Sequence, residues 1–265
     1  MKRSHRAACW LVLTAALTTS SSAAAPDDAL RLQRPLVLLG EVHDNAQQAA
    51  LRLAAVEALL ASGARPALLM EQLDADRQAD IDRLRSDTTP TTADALIDAV
   101  GGRGWQWALY RPVLALALQH GLPIVAVNVS RQQAAAIMRD GLAAHGYQTD
   151  APAAVLDTLA SLIQASHCGM VSPAQARTMA LAQVARDQAM ARAVQVHAAR
   201  GVLLLAGNGH VRTDIGVPLW LNAALRARSQ SIGMLEEGDS TTAFDSRVIT
   251  PAQVRPDPCA GMRKP

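Results

Sequence analysis

The chain has 265 residues, of which 50% are hydrophobic and only 3% aromatic, and its formal net charge at pH 7 is +2. Lys2, Arg3 and Arg6 supply three of the positive charges, and taking them away from +2 leaves −1 for the rest of the chain. This balance, without a basic patch interleaved with aromatic residues, argues against a nucleic-acid-binding protein.

Residues 1–25 have the pattern of a secretory signal peptide. A positive start is followed by the apolar run Ala7–Thr18 and by the small residues Ser20–Ala25, with cleavage expected near Ala24. The apolar run is too short to span a bilayer core of roughly 30 Å. Cys9 precedes this run instead of following it, which does not support a lipoprotein anchor. We therefore expect export to the periplasm.

The first elements after the signal peptide form a strand, a helix and a strand. Pro35–Leu39 is a continuous apolar run of the kind found in buried parallel strands. Asp44 or Asn45 is expected to cap the following helix, and Pro66–Met70 is the second strand. This is the length and pattern of a βαβ unit.

Later elements extend the same architecture. Four further strands are predicted, at Leu122–Val127, Val202–Ala206, Ser231–Leu235 and Arg247–Ile249. Helical insertions are expected at about residues 73–120 and 132–200. Residues 26–250 thus predict a single α/β domain with a mainly parallel central sheet flanked by helices, and 251–265 an irregular tail.

Four helices are predicted within or after the second insertion. Two cover about Gln132–Ala144 and Pro152–Gln164, and a long one is capped by Ser172 with Pro173 at its first position. Another is expected to open at Gly216–Pro218.

Polar side chains follow four of the predicted strands. Two of these strands share a Gly-x-x-His pattern that ends in His43 and His210. The polar residues at the strand ends are Glu41, His43, Glu71, Asn128, Arg131, Asn208 and His210, and Arg212 follows close behind. Because parallel strands end at one edge of a sheet, where ligands bind, we predict one shared site.

Two kinds of chemistry suit this set. Two histidines and two glutamates can hold a divalent metal, or perform general acid/base work on a bound water. Arg131 or Arg212 can hold a carboxylate or phosphate through two hydrogen bonds. No G-x-S-x-G elbow is present, and Cys168 lacks the setting of a nucleophile, so serine or cysteine hydrolysis is not expected.

Trp105, Trp107 and Tyr110 are concentrated within six positions. They indicate either a hydrophobic anchor for a helical insertion or a flat wall for an aromatic ligand. Cys168 and Cys259 remain after signal removal, and in an oxidising periplasm we favour a disulfide between them that ties the tail to the body.

The ordered motifs resemble one known family. They are Gly40 to Asn45, Met70-Glu71, Trp105 to Pro112, Asn128 to Arg131, His167 to Gly169, Arg186-Asp187 and Gly207 to Arg212. This set, spread over about residues 33–236, resembles the ChaN haem-binding proteins, of a superfamily with the Tiki and TraB proteins and the erythromycin esterases.

The resemblance implies an α/β fold and an exported, membrane-associated protein of haem and iron acquisition. It also implies a homodimer with stacked, tyrosine-ligated haems, and an outer-membrane haem receptor as partner. Tyr110 and Tyr147 are the tyrosines of this sequence. The enzymatic branches of the superfamily imply that Glu41, His43, Glu71 and His210 are equivalents of hydrolytic residues.

Two interpretations follow, with catalysis left open. In the first, haem binds in an apolar groove, and the cofactor-binding residues are Tyr110, His43, Arg131, Asn208, His210 and Arg212. In the second, the protein is a metal-dependent or general-base hydrolase with His43 as base, Glu41 and Glu71 as metal ligands or orienting groups, and His210 as their partner. A module that binds some other small anion is a third interpretation.

Overall fold

The computed structural model describes residues 30–86 and 89–260. Its centre is a six-stranded sheet of order β3-β2-β4-β1-β5-β6 in which every neighbouring pair is parallel. The strands are β1 Leu36–Glu41, β2 Ala67–Asp74, β3 Ile124–Asn128, β4 Val202–Gly207, β5 Ser229–Glu236 and β6 Ser246–Thr250. The predicted α/β fold with a parallel central sheet is confirmed.

Nine α-helices occur in the described part of the chain. They are α1 Ala46–Ala61, α2 Gln78–Ser86, α3 Ala93–Val100, α4 Trp107–Gln119, α5 Arg131–Asp140, α6 Ala153–Ser166, α7 Pro173–His197, α8 Asn208–Val211 and α9 Ala223–Arg228. Within residues 30–86 and 89–260, none is both long and apolar enough to cross a membrane. The predicted signal peptide lies outside the described residues, as do residues 261–265 of the tail.

Helices cover both faces of the sheet. Val37 and Leu39 of β1 pack into a core with helices α1 to α4, whereas Leu36 and Leu38 face the core under α7 and α9. A third apolar cluster joins α5, α6 and α7. Each central strand therefore buries both faces, which explains why it appears in the sequence as a continuous apolar run.

The predicted caps are confirmed. Asn45 accepts a hydrogen bond from the backbone N–H of Gln48 at the start of α1. Ser172 forms a capping box with Gln175, and Pro173 is the first residue of α7. Each side chain satisfies an N–H that has no partner inside the helix.

Three predicted boundaries are corrected. Strand β2 does not stop at Met70 but continues to Asp74, past an irregularity in its pairing with β3. The helix predicted to end at Ala144 ends at Asp140, because Gly141 has a φ of +82°. The helix predicted to open at Gly216–Pro218 is a short 3-10 helix, Val217–Trp220, and α9 is a separate helix that Asn222 caps through a 2.9 Å bond from the N–H of Leu225.

A disulfide joins Cys168, in the turn between α6 and α7, to Cys259 in the tail, with the two Cα atoms 5.6 Å apart. The predicted pairing is confirmed. Between β6 and Cys259 the tail has no helix or strand, and Arg255 forms ion pairs at 2.7 Å with Asp44 and Glu236. The tail thus crosses the carboxyl ends of β5 and β1 on its way to the disulfide.

Candidate functional site

Glu41, the last residue of β1, is a buried carboxylate, 3% exposed. Arg52 of α1 forms an ion pair with its Oε2, and the hydroxyl of Tyr110 donates a hydrogen bond to its Oε1. Arg52 also donates to the carbonyl of Leu109 at 2.6 Å and lies 4.8 Å from the centre of the Tyr110 ring. The charge of Glu41 is therefore neutralised inside the protein, as a buried charge requires.

His43 lies beyond Glu41 at the open edge of the sheet, with 39% of its side chain exposed. Its Nδ1 is 3.2 Å from Glu41, while its Nε2 is 3.8 Å from Glu71, beyond hydrogen-bond distance. Trp105 packs edge-on against the ring at 4.7 Å. A Cβ at residue 207 would come within 2.8 Å of Nε2, so glycine there keeps space free beside this nitrogen.

The pKa of His43 reflects opposing influences. Burial lowers it, but the hydrogen bond to Glu41 and the negative charges of Glu71 and Glu41 outweigh burial, and the pKa is raised above its ordinary value.

Glu71, His210 and Asp187 form a second charged group. The backbone N–H of Gly207 donates to Glu71 at 2.7 Å. His210 Nε2 is 3.4 Å from Glu71 and His210 Nδ1 is 2.6 Å from Asp187. Burial opposes a charge on His210, yet the two carboxylates raise its pKa to about 10. His210 is therefore an imidazolium held between two acids.

The two carboxylates of this group respond differently. Burial raises the pKa of Asp187, which reaches about 6 despite the charge of His210. Burial also acts to raise the pKa of Glu71, but the charges of His210 and His43 and the Gly207 hydrogen bond lower it to about 2.

The structure gives no support to the divalent-metal interpretation of Glu41, His43, Glu71 and His210. Within residues 30–86 and 89–260, no group of three or more His, Cys, Asp or Glu side chains is arranged to hold a metal ion. The physical reason is that Arg52 occupies one oxygen of Glu41, and that His210 bridges two acids instead of pointing to a common centre.

Tyr110 lies beneath this group and is completely buried. Trp105 and Trp107 contact its ring edge-on, at 5.9 Å and 6.0 Å between centroids, and the indole N–H of Trp107 donates to the carbonyl of Gly102. Tyr110 and Trp107 are thus an anchor for the helical insertion, as one predicted alternative stated. Trp105 is half-buried and faces two cavities.

The larger of these two cavities, a groove of about 560 Å³, lies between the end of β3, α5, α7 and Trp105. Its apolar lining comes from Val129, Ala134, Met138, Met179 and Ala182. Of the polar groups expected at the strand ends, Asn128 and Arg131 line this groove, whereas His43 lines a second cavity of about 350 Å³. Arg103 and Trp105 belong to both.

Charged and polar groups surround the apolar lining. Three arginines, Arg103, Arg131 and Arg186, line the groove together with one acid, Asp74. Burial and the charge of Asp76 raise the pKa of Asp74. The groove is therefore suited to a ligand that is apolar over most of its surface and negatively charged at its edge.

Asn208 and Arg212 are not brought to the groove. The amide of Asn208 donates to the carbonyl of Met234 at 2.6 Å, towards β5. Arg212 forms an ion pair with Asp214 through two hydrogen bonds. Asn208 turns away because α8 begins immediately after β4 and directs this first side chain across β1, where Gly40 leaves the room.

Sequence reasoning did not identify Arg52 or Gln72 as site residues, and Arg186 and Asp187 were named only among the motifs that carry the family resemblance. Arg52 carried a usable signal, because it lies four residues from both Gln48 and Val56 on the buried face of α1. Asp187 likewise falls among the buried positions of α7. Gln72 carried none, since the strand was expected to end before it.

Comparison with known proteins gives one family match and several structural similarities. Residues 31–221 match the model of the family described as haem-binding uptake, Tiki superfamily, ChaN. A structure of ChaN of Campylobacter jejuni with cofacial haem binding is similar over 78% of this chain and 84% of that chain, with a TM-score of 0.64 and 23% identity.

Two weaker structural likenesses are found. The type III effector HopBA1 is 16% identical, with a TM-score of 0.45 over 83% of this chain and 88% of that one. A mutant of the erythromycin esterase EreC in its open conformation is 14% identical, with a TM-score of 0.45 over 77% of this chain and 71% of that one. No curated protein matches. On the family match over most of its length, this chain belongs to the ChaN family of the Tiki superfamily.

Proposed function

We propose that this protein binds haem across two adjoining cavities, the groove between α5, α7 and Trp105 and the cavity lined by His43, which share Arg103 and Trp105. The observation that carries the proposal is an apolar groove of about 560 Å³ with arginines around it, in a chain of a haem-binding family. The volume falls within the roughly 300–1,000 Å³ of small-molecule and cofactor sites. The haem-loaded ChaN of Campylobacter jejuni has the same fold, which supports the proposal.

The groups present suit a haem. The porphyrin is a flat apolar disc with two carboxylates at one edge, so it needs an apolar surface and cations. The apolar surface is provided by Trp105, Met138 and Met179. The cations are Arg103, Arg131 and Arg186. Bound haem would supply the iron centre, and the chain would hold and orient it.

For the iron ligand we propose His43. Its Nδ1 lies against Glu41, so that a proton on Nδ1 leaves the Nε2 lone pair for a metal. Nε2 makes no hydrogen bond to Glu71, and Gly207 leaves space beside it. Tyr110 is not proposed, because its hydroxyl is buried against Glu41.

Titration of the mature protein with haemin, followed by absorbance, tests this function. We expect saturable binding with a Soret band that shifts in His43→Ala and is unchanged in Tyr110→Phe. His197→Ala is the matched control, since it lies at the end of α7, at the opposite edge of the sheet. A wild-type protein without saturable binding would overturn the haem proposal, and an unchanged band in His43→Ala would overturn the choice of ligand.

We also propose that the protein is exported to the periplasm and serves haem or iron acquisition, as a homodimer that exchanges haem with an outer-membrane receptor. The signal-like residues 1–25 support export, and a disulfide is typical of an oxidising compartment. Cell fractionation and the molecular mass of the haem-loaded protein in solution test these points. A cytoplasmic protein, or a monomer with haem bound, would contradict them.

A further inference from the structure

Gln72 is a buried side chain with no hydrogen-bond partner. It lies in the part of β2 beyond Met70, is 1% exposed, and lines the groove. Neither its amide nitrogen nor its amide oxygen is bonded to any described residue. Because buried polar groups are almost always paired, an unpaired amide in a cavity wall indicates a partner that enters the cavity.

Arg186 lines the same cavity from α7 and is half-buried. Its Nε donates to the side chain of Asn128 at 3.1 Å, which orients the guanidinium. Among residues 30–86 and 89–260, no carboxylate forms an ion pair with Arg186, whereas Arg177 on the same helix pairs with Asp157. Arg186 therefore retains donors for an anion.

We propose that Gln72 and Arg186 form an inner carboxylate subsite that binds a propionate of the tetrapyrrole and selects for tetrapyrroles with free carboxylates. This inference rests on the proposed haem site. A guanidinium and an amide N–H both donate to a carboxylate, and the bond from the guanidinium is charge-assisted. Arg131, exposed at the first position of α5, lies at the outer edge of the groove.

The experiment compares haemin with haemin dimethyl ester, in which both propionates are esterified. Wild-type protein is expected to bind haemin at least about tenfold more tightly than the ester, the ratio that corresponds to one good charge-assisted bond. In Arg186→Gln the haemin affinity falls towards that of the ester, while the ester affinity stays constant. Arg177→Gln is the matched control and leaves both affinities unchanged.

A second variant separates binding from folding. Gln72→Leu removes an unpaired buried amide, so we expect it to unfold at a higher urea concentration than wild type and yet to bind haemin more weakly. Equal affinities for haemin and its ester, or an Arg186→Gln variant that behaves as Arg177→Gln, would overturn the subsite and leave haem binding intact. Absence of binding of either compound to wild type would instead overturn the proposed function.

Discussion

Arg52 is a buried cation whose charge is paired with a single carboxylate. It is 2% exposed, pairs with Glu41 and stacks on Tyr110. Its Nε has no partner in the described residues, so the pairing is not complete. Such a pair adds little net stability over apolar residues, but removal of one partner leaves the other charge buried and alone.

A double-mutant cycle tests this pairing. Arg52→Met should lower the free energy of unfolding by about 3–5 kcal/mol, because Glu41 is then an uncompensated buried charge. The double variant Arg52→Met/Glu41→Gln should recover part of the loss. Urea denaturation of wild type, Arg52→Met, Glu41→Gln and the double variant gives the coupling free energy between the two residues. Simple additivity of the two single changes would show that the charges do not depend on each other.

His210 should make stability depend on pH. Its pKa is raised from an ordinary 6.5 to about 10 in the folded protein by Glu71 and Asp187. Because the folded state binds the proton more tightly, the stabilisation is complete below pH 6.5 and is lost as the pH rises towards 10.

We therefore expect the free energy of unfolding of wild type to fall over this pH range more steeply than that of His210→Gln. Urea denaturation at a series of pH values measures both curves. Parallel curves would mean that the charge of His210 does not contribute.

For single residues, the sequence predicted which ones lie at the edge of the sheet, but not every contact that their side chains make. His43, Glu41, Glu71 and His210 are adjacent, as the strand pattern predicted. Asn208 was expected to join them and turns away, because one hydrogen bond to Met234 determines its direction. Side-chain direction depends on partners distant in sequence, which local patterns do not contain.

Among the elements, the strands were the easiest to predict. Strands β1 and β4 are buried on both faces, so their apolar runs are continuous and their positions clear. The end of β2 was missed because Glu71 and Gln72 are polar residues within a buried strand. A polar residue normally ends an apolar run, and here it continues the strand into the site.

The tail is the element whose role depends on a covalent bond. Replacement of both Cys168 and Cys259 by alanine should lower the free energy of unfolding by about 2–4 kcal/mol, because the unfolded chain is no longer cross-linked. Urea denaturation of oxidised wild type and the double variant measures the loss. Arg255→Ala, which breaks the ion pairs to Asp44 and Glu236 and leaves the disulfide in place, is the control and should have a smaller effect. Equal stabilities of wild type and double variant would contradict the expectation.

For the whole molecule, the sequence predicted the fold and the edge of the sheet that carries the site. It did not predict the groove. The parallel order of the strands places all their carboxyl ends together, so a site there was predictable from pattern alone. The groove requires α5 and α7 to meet beside Trp105, a contact between segments that are distant from one another in the sequence. The periodic buried face of each helix shows that it packs against something, but not which helix it contacts.

The cross-linked tail has a consequence for handling the protein. Before it reaches the disulfide with Cys168, the tail contacts Glu236 and Asp44 through Arg255. Asp44 is the neighbour of the proposed iron ligand His43. Dithiothreitol in a purification buffer, or expression in a reducing cytoplasm, would release one end of this segment from the body. In such a preparation the tail is no longer fixed beside the proposed haem site. A haem affinity measured on it would therefore not be the affinity of the oxidised molecule.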